Sequence, residues 1–183
     1  MWIEIILIIV LFVLLFHFYF QRDPRITLNP NLPNHEIISP TYGRIYGIYE
    51  EDNHIHIITI LNLMDVHMQY YPMNGRVVNQ VHDRTGKYAL VYDLFKSKEN
   101  EKMITTIETP YGNVIVQQIA GMFVRRIFTT LKSIPEEVRG GEKLGNILFG
   151  SRVDLILPKK NLELFVSEGQ KIYGGQTKIG QYK

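Results

Sequence analysis

The chain has no cysteine, and its charges nearly cancel, with 20 lysines and arginines against 18 aspartates and glutamates in 183 residues. Without cysteine it is not a disulfide-stapled secreted module. A net charge of +2 is too small to argue for a nucleic-acid partner. Long apolar runs are equally scarce. There is one, which excludes a polytopic membrane protein, while an apolar content of 45% excludes a disordered chain.

That one run lies at the start. Eighteen of the first twenty residues are apolar, interrupted only by Glu4 and His17, and Ile5 to Phe16 consists of Ile, Leu, Val and Phe alone. A spanning helix needs roughly 17 to 25 such residues, so residues 1–20 are just long enough. A secretory signal would begin with positive charge and end in small residues, whereas this leader begins with an acid and ends in His17, Phe18, Tyr19 and Phe20. It reads as a retained membrane anchor, with an uncleaved signal or a helix lying in the interface as the alternatives. Arg22 and Arg25 follow it on the C-terminal side and place the remaining domain on the cytosolic face.

Residues 21–36, with Asp23-Pro24, Asn29-Pro30 and Leu32-Pro33, read as an extended linker, because each proline biases its predecessor away from helix. Residues 37–183 then form one domain with enough length for a modest core. Its main signal is short strands. Three segments share one pattern: Pro40-Thr41-Tyr42-Gly43, Pro72-Met73-Asn74-Gly75, and Pro110-Tyr111-Gly112. In each, proline sets a turn and glycine frees the backbone from which a β-branched strand departs. Ile55 to Ile60, Val114 to Val116, Ile147 to Phe149 and Val153 to Leu157 fit strands. Gln118 to Leu131, with Ile119, Met122, Phe123, Arg126 and Ile127 at helical spacing, predicts the one helix of the domain, partly convertible to strand. The expected fold is mainly β (α+β at most): a compact, barrel-sandwich-like domain with repeated proline-to-glycine hairpins. The tail, Val166 to Thr177, has the glycine cadence of lipoyl and biotinyl carriers but no modifiable lysine at a hairpin tip.

Taken singly, the polar motifs are weak. Gly140-Gly141-Glu142-Lys143 lacks phosphate-loop spacing, and Gly150-Ser151 lies in no nucleophile elbow. His54 and His56, two apart on one strand face, could share a metal, but no third ligand is in view.

Taken in order, they resemble the phosphatidylserine decarboxylase family in its short form, which acts on phosphatidylserine or archaetidylserine. Phe20-Gln21-Arg22-Asp23-Pro24 looks like the family's F-x-R-D-P. Ser39-Pro40-Thr41-Tyr42-Gly43-Arg44-Ile45 is similar to S-P-A-D-G-x-I, and Asp65-Val66-His67 followed by Pro72 and Gly75 matches D-V-H…P-x-x-G. Asn100-Glu101-Lys102 resembles N-E-R, Val116 to Gly121 continues through Arg125-Arg126-Ile127, and the most specific segment is Gly141 to Asp154.

The resemblance implies an enzyme that makes its own pyruvoyl cofactor from Ser151. The hydroxyl of Ser151 would attack the carbonyl of Gly150, and the chain would part into pieces of 150 and 33 residues. Glycine on the acyl side exposes that carbonyl, lacking a Cβ. A serine hydroxyl needs a base and decarboxylation an acid, and the resemblance assigns both tasks to His67. Arg125 and Arg126 would bind the lipid phosphate or the headgroup carboxylate, or else form a solvated basic pair facing the membrane. The implied partners are a phospholipid substrate, the membrane and a second copy of the chain in a homodimer of cleaved heterodimers. No nucleic acid and no metal are implied.

Two positions depart from the pattern. Tyr42 stands where the family carries an aspartate that helps activate the serine, and Tyr70 where long forms have a second histidine. A phenol cannot replace a carboxylate electrostatically. The alternative is therefore a non-catalytic or slowly maturing member that binds anionic phospholipid. A pyruvoyl lyase acting on a polar amino acid is weaker still, because the leader argues against it.

Overall fold

The computed structural model describes residues 2–20, 22–27, 29–87, 89–121, 126–148 and 151–183. Helix α1 (Trp2–Phe20) comes first. The domain follows as β1 (Glu36–Ile38), β2 (Gly43–Glu51), β3 (His54–Ile60), β4 (Met68–Tyr70), β5 (Gly75–Asp83), the short helix α2 (Leu94–Ser97), β6 (Lys102–Thr109) and β7 (Gly112–Ile119). It closes with β8 (Ile127–Thr129), β9 (Glu136–Val138), β10 (Lys143–Ile147), β11 (Arg152–Pro158), β12 (Leu162–Leu164), β13 (Lys171–Ile172) and β14 (Lys178–Tyr182). The mainly β expectation is borne out.

The strands make three antiparallel sheets: a large one in the order β13-β2-β3-β11-β7-β6-β5-β9, and two three-stranded ones, β1-β14-β12 and β4-β10-β8. Alternation sets the faces. Along β6, Met103, Thr105 and Ile107 point inward, and along β7 Val114, Val116 and Gln118 do the same. Strand β11 departs from alternation, being buried from Arg152 to Leu157, because it lies inside the large sheet between β3 and β7 and is covered on both faces. Val153, Leu155 and Leu157 fill the main core. On the opposite face Arg152 and Asp154 pair with each other through Nε to Oδ1 at 2.7 Å and Nη2 to Oδ2 at 2.6 Å. Arg152 Nη1 also donates to the carbonyl of Leu94 and to Ser97 Oγ, so α2 serves as the lid over this ion pair.

Three expectations need correction. Residues 118–119 belong to β7 and 127–129 to β8, so the helix expected over Gln118 to Leu131 does not form at either end, and its centre, residues 122–125, lies outside the described residues. The helical spacing of Ile119 and Ile127 arises from two strands that each bury one of them. Secondly, strand β10 ends at Ile147, so Leu148 is no longer strand, and Phe149 lies outside the described residues. Thirdly, a strand leaves each of Gly43, Gly75 and Gly112 as the pattern predicts, but only Thr109 to Gly112 closes a hairpin, between β6 and β7. The other two carry the chain from one sheet to another, since β1 pairs with β14 and β4 with β10. Gly43 is required there: its φ is +144°, and a Cβ would lie 2.6 Å from the carbonyl oxygen of Ile60.

The Arg152–Asp154 pair is fully desolvated, so removing one partner strands a buried charge. Asp154→Ala should lower unfolding stability by about 3 to 5 kcal/mol, whereas Arg152→Met combined with Asp154→Leu should recover most of the loss. Urea unfolding of both variants against the parent checks this.

Candidate active site

The site forms at the end of the large sheet where β3 stops and β11 starts. Ser151 stands one residue before β11, and its carbonyl accepts from the backbone N–H of Leu61 at 2.9 Å. From Leu61 the chain turns through residues 62–66 and arrives at His67, whose carbonyl accepts from the N–H of Ile147, the last residue of β10. One short loop thus runs from the backbone of Ser151 to His67. The loop is braced by its own acid: Asp65 Oδ2 accepts from the N–H of Asn62 at 2.8 Å.

Both side chains are buried, Ser151 at 0% and His67 at 3% exposure. His67 Nδ1 lies 2.9 Å from the carbonyl oxygen of Asp65. A carbonyl only accepts, so Nδ1 carries the proton and the lone pair resides on Nε2. Among the described residues, neither His67 Nε2 nor Ser151 Oγ finds a hydrogen-bond partner. Buried polar atoms without partners are rare and costly; five side-chain atoms of the described residues are in that state, and two of them, His67 Nε2 and Ser151 Oγ, are of the kinds that a hydroxyl-activating pair requires. Burial, only partly offset by the Asp65 carbonyl and carboxylate, pushes the His67 pKa down from 6.5 to about 4. The ring is therefore neutral and able to accept a proton at physiological pH.

Two residues absent from the sequence expectation complete the frame. Gln69 Nε2 donates to the carbonyl of His67 at 2.8 Å, and Gln118 Nε2 donates to Gln69 Oε1 at 2.9 Å. Both glutamines are fully buried, and Gln118 Oε1 also lacks a partner among the described residues. The last residue of α1 reaches the site as well: the Phe20 ring packs on His67 with centroids 4.2 Å apart and is 2% exposed. Gln69 and Gln118 are 49 positions apart, and no short motif signals their contact.

The remaining expected residues fall as follows. Gly150 and Arg125 lie outside the described residues. Arg126 is exposed, and its carbonyl accepts from Leu148, three residues before Ser151. Tyr42 is buried against Val66 and Tyr70, and its hydroxyl accepts from Gln176 Nε2 at 3.0 Å. Thus both departures from the pattern pack into one aromatic cluster, with ring centroids 6.3 Å apart, and burial raises the Tyr70 phenol above its ordinary range. His56 stacks on Tyr49 at 4.7 Å, and among the described residues no group of three His, Cys, Asp or Glu side chains is placed to hold a metal.

A pyruvoyl group would arise from Ser151 itself. The residues present fit it: a buried serine whose hydroxyl has no partner among the described residues, and a neutral imidazole whose Nε2 lone pair is fixed by its other nitrogen.

A β domain with a buried serine and a buried histidine at the end of its main sheet, led by one apolar helix, defines a class that comparison can test. The family model described as phosphatidylserine decarboxylase matches residues 13–180. The chain is 35% identical to the phosphatidylserine decarboxylase proenzyme of Carboxydothermus hydrogenoformans, over 96% of this chain and 84% of that protein. It is 37% identical to the proenzyme of Wolbachia pipientis, over 88% and 73%, and 39% identical to that of Bacteroides fragilis, over 80% and 67%. The chain belongs to the phosphatidylserine decarboxylase family.

The depressed pKa of His67 has a consequence for stability. The unfolded chain protonates this ring near pH 6.5 and the folded chain only near 4, so the neutral ring's contribution is complete above pH 6.5 and is lost as pH falls toward 4. That loss should reach about 3 kcal/mol. Unfolding free energies of the parent and of His67→Gln between pH 7 and pH 4 should diverge by this amount, with the parent showing the steeper decline.

Proposed function

We propose that the chain is a phosphatidylserine decarboxylase that cuts its own backbone between Gly150 and Ser151 and then works at a membrane surface. The observation that carries this is the buried Ser151 Oγ together with the neutral His67 Nε2, both without a hydrogen-bond partner among the described residues.

The maturation step follows from the chemistry of these groups. His67 Nε2 takes the hydroxyl proton of Ser151 as Oγ bonds to the carbonyl carbon of Gly150. The C–N bond between residues 150 and 151 breaks, and the proton passes to the departing amine of Ser151. The chain is then joined by an ester. Removal of the Cα proton of residue 151 expels the Gly150 carboxylate. Water then displaces ammonia, so that one water is consumed and one ammonia released per cut.

The pyruvoyl group so formed supplies a ketone that draws off the electron pair left as carbon dioxide departs. The chain's own residues bind and move protons around it. His67, able to gain and lose a proton at Nε2, returns one to the substrate carbon. Gln69 and Gln118 hold the backbone beneath His67, and Phe20 excludes water from its ring. Arg126, exposed and bonded through its carbonyl to the N–H of Leu148, is a cation available to the lipid phosphate, and the resemblance adds Arg125 to it.

Helix α1 is the membrane element. It is long and apolar enough to span, and of its residues only Phe20 is buried, so it does not serve as a core helix of the domain. Arg22 and Arg25 at its C-terminal end support a cytosolic domain. Residues 21–36 connect the anchor to the domain, the last of them, Glu36, already opening β1. Tyr42 alone does not favour the non-catalytic alternative, because the His67 ring is oriented by the main-chain carbonyl of Asp65 and not by residue 42.

Intact mass of the purified chain tests the proposal. Pieces of 150 and 33 residues, the shorter one blocked at its N-terminus, are expected, and Ser151→Ala should remain whole. A parent chain that stays whole after prolonged incubation contradicts it. The time course should also respond to residue 42. Tyr42→Asp, which restores an acid to the cluster with Val66 and Tyr70, should mature faster than the parent, and an unchanged rate would mean that the aspartate is dispensable in this chain.

A further inference from the structure

We propose that the domain touches the bilayer a second time, through a rim of exposed apolar side chains on the loop 62–64 and the segment 89–97. The rim would hold the mouth of the site against lipid headgroups. This rests on α1 being the anchor, though not on the chain's activity.

The rim residues are Leu63, Met64, Leu90, Tyr92 and Phe95, all exposed; Phe95, on α2, is 85% exposed. They belong to one end of the molecule. Tyr92 Oη donates to Asn62 Oδ1 at 3.2 Å, which ties the two segments together. Leu94 and Ser97 accept from Arg152, the residue after Ser151, which fixes the second segment over the start of β11.

Lipid is the occupant because the rim is continuous with the anchor. Two residues beyond α1, Arg22 donates to the carbonyl of Tyr19 at 2.9 Å and to the carbonyl of Met64, and Phe20 packs on His67. The loop is therefore held at the level where the helix leaves the membrane. Leu, Met and Phe suit the acyl boundary and Tyr the headgroup layer, while Lys96 and Lys98 beside Phe95 suit anionic headgroups. The opposite end of the sheet is different in kind. There Lys159 and Lys160 follow β11, and Lys159 N–H donates to the carbonyl of Asn53. Strand β3, seven residues long, separates the two ends by about 20 Å.

The absence of cysteine makes the test clean, since each added thiol is unique. Full-length Ser151→Ala chain, which stays whole whether or not the parent matures, would carry Met64→Cys, Phe95→Cys, Val10→Cys or Lys160→Cys. Each is labelled with a fluorophore and reconstituted in vesicles of phosphatidylcholine and phosphatidylglycerol. The labels at 64 and 95 should be quenched by interfacial lipid nitroxides roughly threefold more than the label at 160, and that at 10 by nitroxides deep in the bilayer. Labels at 64 and 95 as accessible to an aqueous quencher as that at 160 would overturn the rim while leaving the anchor intact. Equal lipid quenching at 95 and 160, or an aqueous label at 10, would overturn it too.

Discussion

The site depends on the placement of β11 between β3 and β7. Arg152 is paired with Ile60 on one side and Ile119 on the other, so the backbone is held from both edges at the first residue of the strand. Ser151 lies just outside that ladder, joined to it by the hydrogen bond from Leu61. A serine in this position combines a fixed carbonyl with a side chain that the ladder does not consume. The same pairing buries Arg152 and Asp154, whose mutual hydrogen bonds keep two desolvated charges from opening the sheet at this point. A strand with a charged face inside a β domain would otherwise be unfavourable, and α2 makes it tolerable by capping the guanidinium with a carbonyl and a hydroxyl.

Burial then determines the chemistry. An imidazole in water would be partly protonated near neutrality, but enclosed by Phe20 and the loop 62–66 it stays neutral, and the Asp65 carbonyl selects the tautomer that leaves Nε2 as a base. The orienting group is main chain, and for that reason the replacement of an expected aspartate by Tyr42 is compatible with a working histidine. Tyr42 and Tyr70 instead fill a small aromatic cluster next to Val66. Helix α1 contributes to the site as well. Its last side chain forms part of the wall around His67.

Much of this was legible in the sequence. The leader, the strands at 55–60 and 153–157, Ser151 and His67 each carry a local signal: an apolar run, β-branched alternation, or a residue within an ordered motif. What was not legible depends on pairings distant in the chain. Gln69 meets Gln118 only because β4 and β7 come together, and both ends of the segment 118–131 are strand because Ile119 and Ile127 serve different sheets. Proline-to-glycine segments announce where a strand leaves but not which strand it will join. Only the segment before Gly112 returns to its neighbour, while those before Gly43 and Gly75 pass to another sheet. Phe20 was visible as the last apolar residue of the leader and the first of the F-x-R-D-P match, but its contact with His67, which spans 47 positions, was not.

The central claim is that His67 is held neutral with its proton on Nδ1. Ring nitrogen-15 shifts of His67 in the full-length Ser151→Ala chain at pH 6 test it most directly. The account predicts a neutral ring with the proton on Nδ1 and an unprotonated Nε2. A protonated ring at that pH, or a neutral ring with its proton on Nε2, would contradict it.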